Sequence, residues 1–380
     1  MRLTSTDVII VGGGVSGLLS ALFLSEAGVN VTVIERGDVG QESSWAGGGI
    51  LSPLYSWKYP LELVQLCLWS QKAYPSLVKV IHEETGIDPE WRETGLWVFD
   101  QGELEAGAAW AHTHHVRCDY LDAEEVCSAE TQLQFPKNHQ ALSFPDIAQL
   151  RNPRFMRALK EYVMQKGVQL KERTCVDALR FEGQRVVGVQ CGDVALLADS
   201  VLVTAGAWSA DLFPADSERK SLPVAPVRGQ MLLYHCDEPV LNHIVLDRGH
   251  YLIPRVDGHV LIGSTVENVG FDKSLTPVAY EELKAFACSL LPCLEDIEPV
   301  CQWAGLRPGS PRGIPFISEH PHYHGLFVNA GHYRNGFVSA PASARLAVDL
   351  IMKTQPLFDP ASYSAIVDSP AWGDGLEGIS

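Results

Sequence analysis

The chain has 380 residues, 46% of them hydrophobic and 20% charged, enough for two domains with full cores and too apolar for long disorder. Lys+Arg 29 against Asp+Glu 46 gives a net charge of −17 with no basic patch, which makes nucleic acid and anionic membranes poor partners. No uninterrupted apolar run reaches the roughly 18 residues of a membrane-spanning helix, and nine scattered cysteines without a C-x-x-C pair read as reduced thiols of a cytoplasmic chain, not as disulfides or a zinc site.

The first element is an apolar strand, Val8 to Val11, that stops at Gly12 and runs into Gly12-x-Gly14-x-x-Gly17. A helical stretch follows with Leu18, Leu19, Leu22 and Phe23 mostly on one face, and Gly28 closes it as a C′ glycine would. A second strand, Val31 to Ile34, ends on Glu35, 23 residues after Gly12, where about 20 is usual for a dinucleotide fingerprint. In such a site Gly12 allows the tight turn, Gly14 admits the pyrophosphate and Gly17 lets helix and strand pack closely. The helix N-terminus offers free N–H groups to the phosphates, and Glu35 suits a ribose diol. Asp7 ahead of the run and the glycines inside it argue against a signal peptide.

Ser43, Ser44 and the bare backbone of Gly47, Gly48 and Gly49 come next, a glycine-rich loop that can touch the same cofactor. Residues 60–86 are helical in pattern, with a break expected at Pro75 and a stop at Gly86. Gly95 to Phe99 reads as a strand, and 100–130 as mixed, partly exposed helix. Neither His112, His114 and His115 nor His320, His322 and His324 has convincing Cys or carboxylate partners, so both clusters read as solvated surface and no metal is expected.

Asn152-Pro153 looks like an N-cap followed by proline at the first helical position, and Gly167 ends that helix. VQLKER, VDALRF, RVVGVQ and VALLA read as a β-meander. VLVTAGAWS then forms an apolar strand ending at Ala205-Gly206, where a parallel sheet presents its C-terminal edge to ligand. Residues 223–300 read as an antiparallel sheet with tight turns, VDGH the clearest, plus a helix from Tyr280 to Leu291. AGLRPGS reads as a glycine- and proline-punctuated loop holding Arg307. GLFVNAG is a strand ending in Gly331, and HYRNGFVSAPASARLAVDLI runs through a turn into a helix. No second G-x-G-x-x-G with a following acid is present, so one dinucleotide is expected.

These stretches together (DVIIVGGGVSGL, VIERG, SSWAGGGIL, VTAGAWS, PVRGQ, YLIPR, WAGLRPGS and NAGHYRNG) resemble the D-amino-acid oxidase superfamily of FAD-dependent oxidoreductases, and within it the glycine oxidase group linked to thiamine thiazole synthesis. The resemblance implies an α/β chain of two domains: a Rossmann-like FAD-binding domain with a β-meander (1–85, 145–222 and 301–365) and a substrate domain with a mainly antiparallel sheet (86–144 and 223–300), followed by a 366–380 tail. It implies FAD, with contacts from Val15, Ser16, Glu35, Arg36, Ser43, Ser44, Gly48 to Ile50, Val176 and His332 to Val338, a run that includes Tyr333, Asn335, Gly336 and Phe337. With the glycines of the fingerprint and Ala205-Gly206, these are the expected cofactor residues. It places Tyr251, Arg307 and Arg334 on the substrate and Val266 in the same pocket. Related sarcosine oxidases tether flavin to a cysteine in the late loop; here Arg307-Pro308-Gly309 stands there, so FAD is expected to be non-covalent. A homotetramer is what the family resemblance implies.

Flavin-dependent oxidation of an α-amino acid needs the Cα–H bond oriented on the flavin, a neutral amine and a carboxylate clamp. Arg307 suits the clamp because a planar guanidinium makes paired charge-assisted bonds to a carboxylate. Tyr251 can add a third bond, and Arg334 can touch substrate, flavin or both. The expected function is oxidation of glycine, sarcosine or small D-amino acids with O2 as acceptor and peroxide as product. The rivals are a D-amino-acid dehydrogenase feeding a quinone and a non-catalytic flavin-binding protein.

Overall fold

The β-branched run ahead of Gly12 becomes the central strand, Thr6–Val11, of a parallel sheet in the computed structural model, which describes residues 6–212 and 222–365. The 366–380 tail lies outside the described residues. Val31–Ile34 pairs on one side of this strand and Val194–Val203 on the other. Leu326–Ala330 extends the sheet beyond Val194–Val203, Gln169–Lys171 beyond Val31–Ile34, and antiparallel Phe316–Glu319 closes one edge.

The strand is buried on both faces, which explains its unbroken apolar pattern. Alternation sends Val8 and Ile10 into a core shared with helices Val15–Glu26, Leu61–Thr85, Asn152–Gln165 and Ala340–Met352. It sends Ile9 and Val11 into a second core beneath the ribbon of Ala178–Glu182 and Arg185–Cys191. The expected meander differs in two ways. VALLA and VLV are one continuous strand, Val194–Val203, antiparallel to the ribbon at one end and parallel to Thr6–Val11 at the other. Gln169–Lys171 leaves the meander for the parallel sheet.

The second sheet runs in the order Cys301–Gly309, Ala225–His235, His259–Gly263, His250–Pro254, Ile244–Asp247, Leu96–Val98, Ala141–Phe144 and Asp119–Leu121. It is antiparallel except where Ile244–Asp247 meets Leu96–Val98. Helix Pro277–Leu290 packs on it, started by Thr276, whose hydroxyl accepts from Ala279 N–H.

Four local readings change. AGLRPGS is not a loop: Arg307 lies inside strand Cys301–Gly309, paired along its length with Ala225–His235. This is an edge strand, where a proline such as Pro308 is tolerated because one side of the backbone has no ladder to complete. Residues 301–309, grouped by sequence with the nucleotide fold, thus belong to the antiparallel sheet. Helix Leu61–Thr85 runs through Pro75 unbroken and stops at left-handed Gly86; Pro75 is exposed while Tyr74, Val78 and Ile81 are buried and hold both halves in one line. Asn152 is not the cap of its helix; Arg151 is, and the buried Asn152 amide instead donates to the Ser44 carbonyl at 2.8 Å. His320 is buried rather than solvated, its Nδ1 accepting from His322 N–H and Tyr323 N–H.

No helix among the described residues is long and apolar enough to cross a membrane. Pro75 forfeits a helix hydrogen bond for a penalty of about 3 kcal/mol, offset by up to about 1 kcal/mol of unfolded-chain entropy. Pro75→Ala should therefore raise stability by about 2 kcal/mol, read as a higher urea midpoint at unchanged m-value.

Candidate active site

The parallel strands end on one side, and the residues at their carboxyl ends (Val11, Ile34, Thr204 and Ala330) line a cavity of about 540 Å³. At its floor the glycine turn is closed to any side chain. A Cβ on Gly12, at φ +116°, would lie 2.4 Å from the Thr204 carbonyl oxygen, and one on Gly17 would lie 2.1 Å from Gly12 O. Thr204 locks the turn by donating its hydroxyl to Gly12 O at 2.9 Å. Glu35 holds the other side: its two carboxylate oxygens accept from Gly13 N–H and Gly37 N–H at 2.8 and 2.9 Å. Helix Val15–Glu26 starts from Gly14 with no side-chain cap of its own; Ser44 Oγ reaches over to accept from Val15 N–H at 2.9 Å. The Ser16 and Gly17 N–H groups stay at the positive helix end, as an anion site requires.

Beyond Glu35 the wall is carried by Arg36, whose guanidinium lies 3.6 Å over the Trp208 ring. Trp208 in turn stacks on Phe271, with centroids 5.3 Å apart. At the opposite end the turn Tyr333–Asn335 precedes helix Ala340–Met352. Asn329 and His332 line the cavity here, and both amide atoms of Asn329 and Nε2 of His332 are buried without a protein partner. Buried polar groups are costly unless bonded. A heteroaromatic ring with donors and acceptors along its edge, joined through a pyrophosphate to a ribose beside Glu35, fits this inventory.

The second sheet supplies the remaining wall. Arg307 crosses from its edge strand towards the cavity. Its Nη1 donates to the carbonyls of Arg228 and Thr265 at 3.2 and 3.1 Å, and Nη2 donates to Ser264 Oγ at 2.6 Å. The guanidinium passes so close to Gly229 that a Cβ there would lie 2.1 Å from Nη2. Burial, reinforced by the nearby Arg334 charge, pushes the Arg307 pKa down from its ordinary value, although arginine stays charged in proteins. Arg228, on the adjacent strand, pairs with two carboxylates, Glu267 and Asp272. Tyr251 stands between Gly48 and Gly263, where a Cβ on either would touch its ring, and its hydroxyl donates to Met231 Sδ at 3.3 Å.

Most residues expected at the site line this one cavity, from Gly12, Gly14, Val15 and Ser16 through Glu35, Arg36, Ser43, Ser44, Gly48 to Ile50, Val176, Ala205 and Gly206 to Tyr251, Arg307 and His332 to Phe337. Three do not. Gly17 packs beneath the turn, Val338 is buried against Tyr59 and Leu63, and Val266 is 36% exposed and off the wall. Sequence reasoning missed Thr204, Gly229, Ser264, Asn329 and Arg255. All but Asn329 act through a contact between distant segments, and only the strand-end position of Thr204 was a usable signal. Among the described residues no group of His, Cys, Asp and Glu could hold a metal.

Residues 7–350 match the family described as FAD dependent oxidoreductase, DAO. The chain is 46% identical over 362 residues to the glycine oxidase of Pseudomonas aeruginosa, covering 95% of this chain and 98% of that one. It is 31% identical to the bifunctional protein ThiO/ThiG of Synechocystis, over 97% of this chain and 55% of that protein. The crystal structure of glycine oxidase from Geobacillus kaustophilus matches with a TM-score of 0.87 at 30% identity, covering 95% of this chain and 98% of that one. The chain therefore belongs to the DAO family of FAD-dependent oxidoreductases. It is an enzyme, and its cofactor is FAD.

Burial holds His332 at a pKa of about 4, below the ordinary 6.5. The folded protein keeps this imidazole neutral while the unfolded chain binds a proton, so its stabilising contribution is present above about pH 6.5 and falls away as pH drops towards 4, by about 3 kcal/mol. His332→Asn should lose less stability than the parent between pH 7 and pH 4.5 in urea unfolding. An equal loss would assign the acid sensitivity to other groups.

Proposed function

We infer that the chain oxidises glycine, and with it small amines such as sarcosine and D-alanine. The carrying observation is Arg307, a half-buried guanidinium bonded only to neutral acceptors in the wall of the FAD cavity. Three bonds occupy Nη1 and one hydrogen of Nη2. One Nη2 hydrogen and the Nε–H are left without a protein acceptor among the hydrogen bonds of Arg307, and a guanidinium offers such donors to a carboxylate as paired charge-assisted bonds. Desolvation of this cation favours an anionic ligand strongly. Tyr251 adds to the clamp, because the thioether that now accepts its hydroxyl proton is a weak acceptor that a carboxylate oxygen outcompetes.

With the carboxylate held, the Cα–H bond can take only a narrow range of orientations, and orientation supplies much of the rate. FAD held along Gly14, Ser16, Glu35 and the 332–337 turn would supply the acceptor for a hydride from the substrate Cα and the route of both electrons to O2, with hydrogen peroxide as product. The substrate amine must be neutral for the C=N bond to form, and the cationic clamp favours that form by repelling an ammonium. Water then converts the imine to glyoxylate and ammonia, or the imine serves thiazole formation, a role supported by the likeness to the ThiO/ThiG protein. The family match and the glycine oxidase relatives support the substrate class.

A peroxide assay and an oxygen electrode with glycine, sarcosine, D-alanine and D-proline test this reading. Peroxide from glycine is expected. Dye reduction without oxygen uptake would favour a dehydrogenase, and neither signal a non-catalytic flavoprotein. Arg307→Lys loses the fork and should raise the KM for glycine by about a hundredfold, equivalent to about 3 kcal/mol, with FAD still bound. Gly229→Ala should act in the same direction without altering the guanidinium itself, since the new methyl displaces it. An unchanged KM in both variants would remove Arg307 from the clamp.

A further inference from the structure

Directly after strand His250–Pro254, which carries Tyr251, the chain buries Arg255. Its Nη2 donates to the Gly48 carbonyl at 2.7 Å, and its Nη1 donates to Gln149 Oε1 at 2.6 Å and to the Leu150 carbonyl at 3.1 Å. No carboxylate is among these partners. The acids nearby are engaged by Arg151, which pairs with Glu90 at 3.3 Å and Asp257 at 2.7 Å. A salt bridge would stabilise Arg255 better, so three neutral oxygens on two separate segments call for a reason.

The segments themselves supply one. Gly48 and Gly49 belong to the loop that lines the cavity, and Gln149-Leu150 is the stretch against which that loop is laid. Leu150 N–H donates to Gly49 O at 3.0 Å, and Ile50 forms a bridge with Gln149. Gly49 sits at φ +77° with no room for a Cβ, which would lie 2.0 Å from Leu150 O. A Cβ on Gly48 would lie 2.6 Å from Ile253 Cδ1 and 3.3 Å from the Tyr251 ring, so this loop lies directly against the strand that carries both. Arg255 therefore joins the substrate strand to the cofactor loop at one point, four residues along the chain from the tyrosine that meets the substrate.

We propose that Arg255 is a positioning residue of the oxidation, fixing the Gly48 carbonyl and with it the spacing between the cofactor loop and Tyr251. A guanidinium suits the task because its planar fork holds several oxygens in fixed relative directions, whereas an ammonium on a flexible stem holds them only by charge. A displacement of about 1 Å at such a loop is enough to cost about a hundredfold in rate. The proposal rests on the assignment of FAD to this cavity, and its kinetic arm also rests on glycine as substrate.

The test compares Arg255→Met and Arg255→Lys with the parent as holoenzymes. FAD release on dilution is followed by recovery of flavin fluorescence, and the flavin reduction rate by bleaching under anaerobic, saturating glycine. Arg255→Met should release FAD at least tenfold faster and be reduced about a hundredfold more slowly, and Arg255→Lys should recover most of the retention but little of the rate. Parent-like release and reduction in Arg255→Met, with only a lowered melting temperature, would overturn the proposal and leave Arg255 a packing residue. If Arg255→Met gives no folded holoenzyme, Gln149→Met, which removes one acceptor and leaves the cation, should accelerate release about threefold, and parent-like release would overturn it equally. Should the parent itself not bleach with glycine, the substrate reading fails while the release measurement still decides the role of Arg255.

Discussion

A half-buried guanidinium with no carboxylate among its bonded partners is the constraint on which the substrate wall of this structure depends. Arg307 cannot shed its proton, and its partial burial is costly in proportion to the field it loses. The fold lowers that cost by surrounding it with oxygen dipoles, the carbonyls of Arg228 and Thr265 and the hydroxyl of Ser264, while Glu267 and Asp272 pair with Arg228. Two arginines on adjacent strands thus differ in their partners: Arg228 pairs with both acids, and Arg307 bonds to neutral oxygens alone.

That division depends on strand register. Arg228 faces Leu306 and Val227 faces Arg307 across the pair formed by Ala225–His235 and Cys301–Gly309. A slip of one residue would turn the guanidinium to the other face of the sheet. Glycine at 229 is part of the same device, because only a missing side chain lets the guanidinium lie against the neighbouring backbone. The parallel sheet uses the same economy at the other end, where Gly12 and Gly17 bring strand, turn and helix closer than any Cβ permits.

The two ends of the cavity differ in how far they were legible in the amino-acid sequence. The cofactor end is built by short-range grammar: a strand, three glycines, a helix and an acid within thirty-odd residues, each with a fixed task. It could be read directly, and the Thr204 lock missed there completes a turn already recognised. The substrate end is assembled from segments far apart in the chain, including Ser264, Gly229 and Arg307. There the residue types were legible and their setting was not. Glycine and proline around Arg307 signal a loop to any local reading, yet an edge strand accepts both. In the same way Pro75 signals a break that the packing of Tyr74, Val78 and Ile81 overrides, and Asn152 signals a cap while its amide is used to hold the Ser44 carbonyl.

Two of these departures share a physical cause. Turn and cap preferences describe what a residue does when water is the alternative, and Asn152 and Arg307 are instead held by partners remote in sequence. Asn152, Arg255 and Ser44 all send side chains to backbone groups of other segments, and all three converge on the two loops that wall the cavity, 12–15 and 44–49. Loops rich in glycine lose much entropy on ordering, so a site made from them must be held by bonds from outside. Asn152, whose cap preference is overridden, supplies one of those bonds, and Ser44 and Arg255 supply the others, so the shape of the cavity is set by side chains that lie outside the loop each one holds.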